Sequence, residues 1–145
     1  MSAFELHPKL AGATAHLSDL PLSAALLMDD ARFPWILLVP RQPDLVEIED
    51  LSEADQHQLL KEIHQASAAV RALCEPDRPN KKLHIGALGS SVRQLHVHVI
   101  ARREDDPAWP GPVWGHSAPV PYEKHAISER VGMACDWFGD ELEVL

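Results

Sequence analysis

Cysteine is scarce in this chain. The two present, Cys74 and Cys135, form no Cys-x-x-Cys pair, so they can build neither a disulfide framework nor, unaided, a structural zinc site. Both are expected as small core residues. No apolar run is long enough to span a bilayer, and the opening MSAFELHPKL lacks the basic and apolar regions of a secretory signal, so we expect a soluble protein of the cytoplasm. Positive charge is in deficit too. A formal net charge of −9 argues against a surface that neutralises long nucleic acid, and leaves open a small phosphorylated ligand held by a few local groups. Arg32, Arg41, Lys81, Lys82, Arg93, Arg102 and Arg103 are candidates for such contacts, because they lie near the apolar segments; basic residues beside strand ends are also commonly solvated edge charges.

What is present suits one domain spanning 1–145, since 145 residues with 46% hydrophobic content can bury a single sizeable core. Ala24–Met28 and Trp35–Pro40 are short apolar runs around a polar, proline-bearing stretch, which predicts a β-hairpin. Ser52 offers a helix N-cap, and Leu59, Leu60, Ile63, Ala66, Ser67, Val70 and Leu73 recur at helical spacing, predicting a long amphipathic helix closed before Pro76. A strand at about Leu83–Ala87, the turn Gly89–Ser91 and a strand over Gln94–Arg102 follow. Two hairpins around a helix predict an α+β domain with a mainly antiparallel sheet.

Beyond Asp106 the character changes. DPAWPGPVWGHSAPVP holds five prolines, which excludes regular helix or sheet ladder, and Trp109 and Trp114 give it large anchors. Residues 106–145 therefore read as an arm and a C-terminal helix over Tyr122–Phe138, with Ile127, Val131, Ala134 and Phe138 on one face. The arm could cover a face of its own domain, or border a ligand site or subunit interface, where tryptophan is enriched.

The stretch Arg93–Arg102, RQLHVHVIAR, sets two histidines into a run of branched apolar residues. Side chains alternate along a strand, so Leu95, Val97, Val99 and Ala101 face one way while Gln94, His96, His98 and Ile100 face the other. Imidazoles two residues apart stand about 7 Å apart, close enough to address one phosphate group or one metal ion.

The run GSSVRQLHVHVIAR resembles the histidine triad (HIT) family, whose signature alternates three histidines with apolar residues after a Gly-x-Ser/Thr-Val segment. The hairpin LLMDDARFPWILLVPR and the helix at Leu51-Ser52 extend the resemblance over roughly Phe4 to Trp114. LHP, QLHVHVIAR and DPAWPGPVWG together look like a bacterial branch described as HIT-like or diadenosine-tetraphosphate-hydrolase-like. The resemblance implies a HIT-like fold, with about five antiparallel strands, a long helix and a C-terminal helix. It also implies a nucleotide hydrolase or nucleotidyltransferase acting at an α-phosphate through a covalent nucleotidyl-histidine. His96 is then the nucleophile, neutral enough at working pH to attack, and His98 donates to a non-bridging phosphate oxygen. Ser91 holds the bridging oxygen or leaving group, the Gly89–Ser91 turn offers an anion nest, and Asp29 meets the ribose hydroxyls. No metal or other cofactor is required. Homodimers joined edge to edge are common in the family, which would bring one subunit's arm near the other's site.

Three departures bear on this. Gln94 replaces the first histidine of the triad and can donate a hydrogen bond but not exchange a proton near neutrality. His84 stands where an asparagine contact is expected, and Ser90 where glutamine or asparagine is usual. These changes motivate the alternative of a nucleotide-binding module without turnover. A metal-binding protein is the other alternative, using the His-x-His pair with a third ligand from His84, His116 or Glu104. His57 and His64 read as solvated helix residues, and His7, His16, His116 and His125 carry no assigned catalytic role.

Overall fold

The structure is a computed structural model and describes residues 3–138. In chain order the elements are α1 (Pro8–Ala13), β1 (Thr14–Asp19), β2 (Ser23–Met28), β3 (Trp35–Pro40), a 3₁₀ turn (Ile48–Asp50), α2 (Glu53–Ala72), β4 (Lys82–Gly86), β5 (Val97–Arg102) and α3 (Lys124–Cys135). The strands make one sheet in the order β1-β2-β3-β5-β4, and each neighbouring pair is antiparallel. This is the α+β architecture expected from the two hairpins. No helix among the described residues is long and apolar enough to cross a membrane.

The central strands β2 and β3 are SAALLM and WILLVP, apolar at almost every position because both faces of the sheet are covered. On one face Leu27, Ile36, Leu38, Val97 and Val99 pack with Leu59, Ala66 and Val70 of α2 and Ala134 of α3. On the other, Leu26, Leu37 and Ile100 pack with Phe33 and Trp35, with Val113 of the arm, and with Phe4, Leu6 and Leu10 near the N-terminus. That second face carries the histidines, so the arm covers its own domain and borders the candidate site at once.

The Ser52 hydroxyl accepts from the Asp55 N–H at 3.1 Å and caps α2 as its sequence suggests. Leu60 is not on the buried stripe, however; it is 66% exposed. One residue beyond Leu59 is about 100° further round the helix, so both cannot face the core squarely. Glu62 lies on the buried face instead, fully enclosed, where its carboxylate accepts the backbone N–H groups of Leu22 and Ser23 and the Gln58 amide.

Neither α1 nor β1 was legible. TAHLSD buries only Leu17 deeply and carries a bulge between His16 and Ser18, which breaks the alternation that would announce a strand. The C-terminal helix is shorter than its apolar spacing suggests, though Ile127, Val131, Ala134 and Phe138 do share the core. Residues 139–145 of the expected arm and helix lie outside the described residues.

Candidate active site

The strand that carries His98 begins at Val97, not Gln94, so Gln94 and His96 lie just before it. Upstream of it the backbone bonds elsewhere: the Leu95 N–H donates to the Leu45 carbonyl at 3.0 Å, and the Gln94 carbonyl lies 2.7 Å from Nδ1 of His96. A carbonyl can only accept, so Nδ1 of His96 carries the hydrogen and the neutral ring presents an unprotonated Nε2.

His98 is held in the opposite sense. The indole N–H of Trp35 donates to its Nδ1 at 3.1 Å, and because an indole nitrogen cannot accept, the His98 proton sits on Nε2. Burial, with a smaller contribution from the charge of His96, pushes the His98 pKa down to about 3. It is therefore neutral at physiological pH and a fixed donor. The two rings stand 4.9 Å apart between centroids at 66°, so a ring with a bare Nε2 lone pair neighbours one with an Nε2–H.

Trp114 packs edge-on against His98, 5.4 Å away at 71°, and stacks over His84 at 6.4 Å and 24°. The arm that delivers it hangs from Arg102, whose side chain is fully buried. Arg102 donates to both Asp106 carboxylate oxygens at 2.7 and 2.9 Å, to the Gly111 carbonyl at 2.8 Å and to Nδ1 of His84 at 2.9 Å. Burial alone would raise the Asp106 pKa, but Arg102 and the surrounding backbone N–H groups outweigh it and hold the carboxyl below its ordinary value. His84 is lowered, first by burial and then by the Arg102 charge. Since a guanidinium cannot accept, His84 also presents an Nε2–H.

Gln94 faces the same side but reaches the N-terminal segment. Its Oε1 accepts the His7 N–H and its Nε2 donates to the Glu5 carbonyl, both at 2.8 Å. Ser90 and Ser91 are exposed on the turn before the histidines. A Cβ on Gly89 would lie 2.5 Å from the Val92 carbonyl and 3.6 Å from Cε1 of His96, so only glycine lets this turn close beside the ring. Asp29 ties down the chain after the arm, accepting the Tyr122 N–H at 2.8 Å. Its neighbour Asp30 lines a cavity of about 300 Å³ beside His98, walled by Met28, Trp35, Val113 and Trp114. Asp29 is not among the lining residues of that cavity. Among the described residues no three His, Cys, Asp or Glu side chains converge as metal ligands, and Nδ1 of His84 is already occupied by Arg102.

Sequence reasoning missed Trp35 and the Arg102–Asp106 pair, in which Arg102, a candidate phosphate contact by sequence, is instead buried and committed to Asp106; it marked Trp114 only as an anchor of an arm that could border a ligand site. The i,i+4 spacing of opposite charges was visible for the pair, and the strand parity of Trp35 placed it on the histidine face. Only the fold brings Trp114 back over His98.

The HIT domain family model matches residues 13–105. A histidine triad protein from Bradyrhizobium japonicum is 44% identical, with a TM-score of 0.87, over 94% of this chain and 99% of that one. Histidine triad proteins from Sinorhizobium meliloti and Marinobacter aquaeolei VT8 are each 38% identical; the former covers 92% of this chain and 96% of its own with a TM-score of 0.85, the latter 94% and 97% with 0.88. No curated protein matches the chain. The HIT domain model over residues 13–105, with relatives 38–44% identical over nearly the whole chain, settles the relationship: this chain belongs to the histidine triad family.

Proposed function

We propose that this protein transfers or hydrolyses a nucleoside monophosphate unit through a covalent intermediate on Nε2 of His96. The observation that carries the reading is the opposed tautomers of the two histidines, one offering a lone pair and its neighbour an N–H. In the first step the Nε2 lone pair forms a bond to the α-phosphorus and the bond from phosphorus to the leaving oxygen breaks. The ring gains positive charge, which the Gln94 carbonyl stabilises by accepting from Nδ1–H. Nε2–H of His98 meets a non-bridging oxygen as negative charge builds there. In the second step water or another acceptor attacks phosphorus, the N–P bond breaks, its electron pair returns to Nε2, and the acceptor's proton passes to solvent.

Gln94 has no proton to give near neutrality, so the leaving group must depart as a stable anion. That favours phosphoanhydrides, such as nucleoside and dinucleoside polyphosphates, over amine or alkoxide leaving groups. We assign Ser91 and the Gly89–Ser90 turn to the phosphate side, Trp114 and His84 to the closing wall, and a carboxylate at Asp29 or Asp30 to the ribose. Asp30 lines the cavity beside His98, with both its oxygens on Arg32, while Asp29 does not line it and keeps one oxygen beyond its bond to Tyr122.

A homodimer accompanies this reading. β4 is an edge strand, and Ile85 on it and Leu88 just beyond are 47% and 45% exposed, an apolar edge suited to a second copy. A monomer mass by light scattering at micromolar concentration would contradict it.

The catalytic reading is tested by intact-mass spectrometry after brief mixing with adenosine nucleotides bearing different leaving groups. A nucleotidyl adduct or released monophosphate that disappears in His96→Ala is the expected result. Binding with neither adduct nor product would favour a module that holds nucleotides without turning them over, a role the engagement of Gln94 by the N-terminal segment would suit.

A further inference from the structure

A second cavity, of about 290 Å³, holds in its walls four of the chain's thirteen basic residues. Leu73 and Tyr122 in its lining pack with the core beneath α2 and α3; the cavity shares Arg32 with the one beside His98, but neither His96 nor His98 lines it. Arg32, Arg78, Arg103 and Arg130 line it, against the carboxylates of Glu75 and Asp105. In a chain of net charge −9 such convergence needs an explanation.

Two of the four guanidiniums are already committed. Arg32 grips both oxygens of Asp30 and reaches Ser117 and the Ala118 carbonyl. Arg78 is bonded to Asp105 and approaches Glu75 at 3.5 Å. The other two are not. Arg103 has a side chain only 16% exposed, with Nε 3.2 Å from Asp105 but out of line for a hydrogen bond, so that among the described residues this buried N–H has no acceptor. Among the described residues Arg130 spends one N–H on the Leu73 carbonyl at 2.8 Å and makes no other side-chain bond. The half-buried Tyr122 adds a hydroxyl to the same wall. A buried guanidinium N–H without an acceptor is costly, and an oxyanion in the cavity would remove that cost.

We propose that this cavity is an anion site that takes the phosphoryl group of a small molecule through Arg103 and Arg130, with the Tyr122 hydroxyl as a third donor. Two guanidinium forks from different parts of the chain, with a tyrosine in the same lining, suit a group with three terminal oxygens better than a planar carboxylate. At roughly 30 Å³ per water the cavity has room for about ten waters, more than phosphate alone requires, so a short organic portion fits as well.

The test is a titration of inorganic phosphate, at constant ionic strength against chloride, read on the arginine Nε–H signals of ¹⁵N-labelled protein. Arg103 and Arg130 signals should shift along a saturable curve, and do so equally in His96→Ala. Arg130→Gln should weaken the affinity about tenfold or more, the worth of a charge-assisted bond, with a retained cooperative thermal transition as the check on folding, since the variant also loses the bond to the Leu73 carbonyl. Tyr122→Phe keeps the ring in the core and should weaken binding by about threefold. Glycerol 3-phosphate separates the two sources: tighter binding than phosphate identifies a phosphorylated metabolite, equal binding the free ion, and both support a phosphoryl site. Shifts linear in phosphate and matched by chloride would overturn the proposal, as would equal affinity for succinate. So would saturable shifts that vanish in His98→Ala, which would place the phosphate at the histidines.

Discussion

The indole N–H of Trp35 points at Nδ1 of His98 from 3.1 Å, and that one bond decides which end of the imidazole carries the proton. Trp35→Phe keeps an aromatic ring in the core but removes the donor. The His98 proton is then free to move to Nδ1, and a share of the molecules loses the Nε2–H that meets the phosphate. Turnover should fall about ten- to a hundredfold, less than for His98→Ala, where about 10² to 10³ is expected from losing the donor outright. Ring ¹⁵N shifts of His98 should show mixed tautomers in the variant. A purely Nε2–H ring in Trp35→Phe would sink this account.

Stability should depend on pH through the same residue. His98 has its pKa depressed to about 3 in the folded state, against an ordinary histidine value of about 6.5 when unfolded. Between those limits the unfolded chain binds a proton that the folded chain does not, so unfolding becomes easier as pH falls. No loss is expected above about pH 6.5, and below it the slope from this group approaches about 1.4 kcal/mol per pH unit. His84, lowered in the same direction, adds to it. Urea unfolding at a series of pH values from 7 to 4.5 reads this directly. His98→Asn should flatten the slope, and an unchanged slope would assign it to other groups.

Much of this site was written in local sequence. Alternation placed Gln94, His96 and His98 on one face, the helical period found α2, and proline content marked the arm. What was illegible depends on contacts between distant residues. The tautomer of His98 is set by a residue 63 positions away, the Gln94 amide is engaged by backbone 87 and 89 positions away, and Leu95 leaves the ladder to bond Leu45. Asp29 and Asp30 are adjacent and alike in sequence, and only the path of the later strap separates them.

Asp106→Asn should be among the most damaging single changes outside the histidines. Arg102 is fully buried with Asp106 as its counter-charge, and the substitution leaves the guanidinium enclosed without compensation. Breaking such a pair from one side costs about 3–5 kcal/mol. The carboxylate also accepts the Ala108 and Trp109 N–H groups, which shape the start of the arm. A fall in thermal midpoint should therefore come with a change in tryptophan fluorescence, as Trp114 loses its seat on His98. A loss of less than about 1 kcal/mol would mean the arm is anchored by its apolar contacts instead.

Gln94→Ala separates two roles that a triad position could hold. If the amide serves the phosphate, turnover should drop by the 10² or more typical of a lost transition-state donor. The geometry argues otherwise, because Oε1 and Nε2 are bonded to His7 and Glu5, while the group that supports His96 is the Gln94 backbone carbonyl, which alanine retains. The expected outcome is less than a tenfold fall in turnover. Alongside it should come faster amide exchange at His7 and a stability loss of about 1–2 kcal/mol for the two bonds. Exchange at His7 distinguishes the cases even if activity is low: an N-terminal segment as protected in Gln94→Ala as in the parent would show that the amide is not its tether.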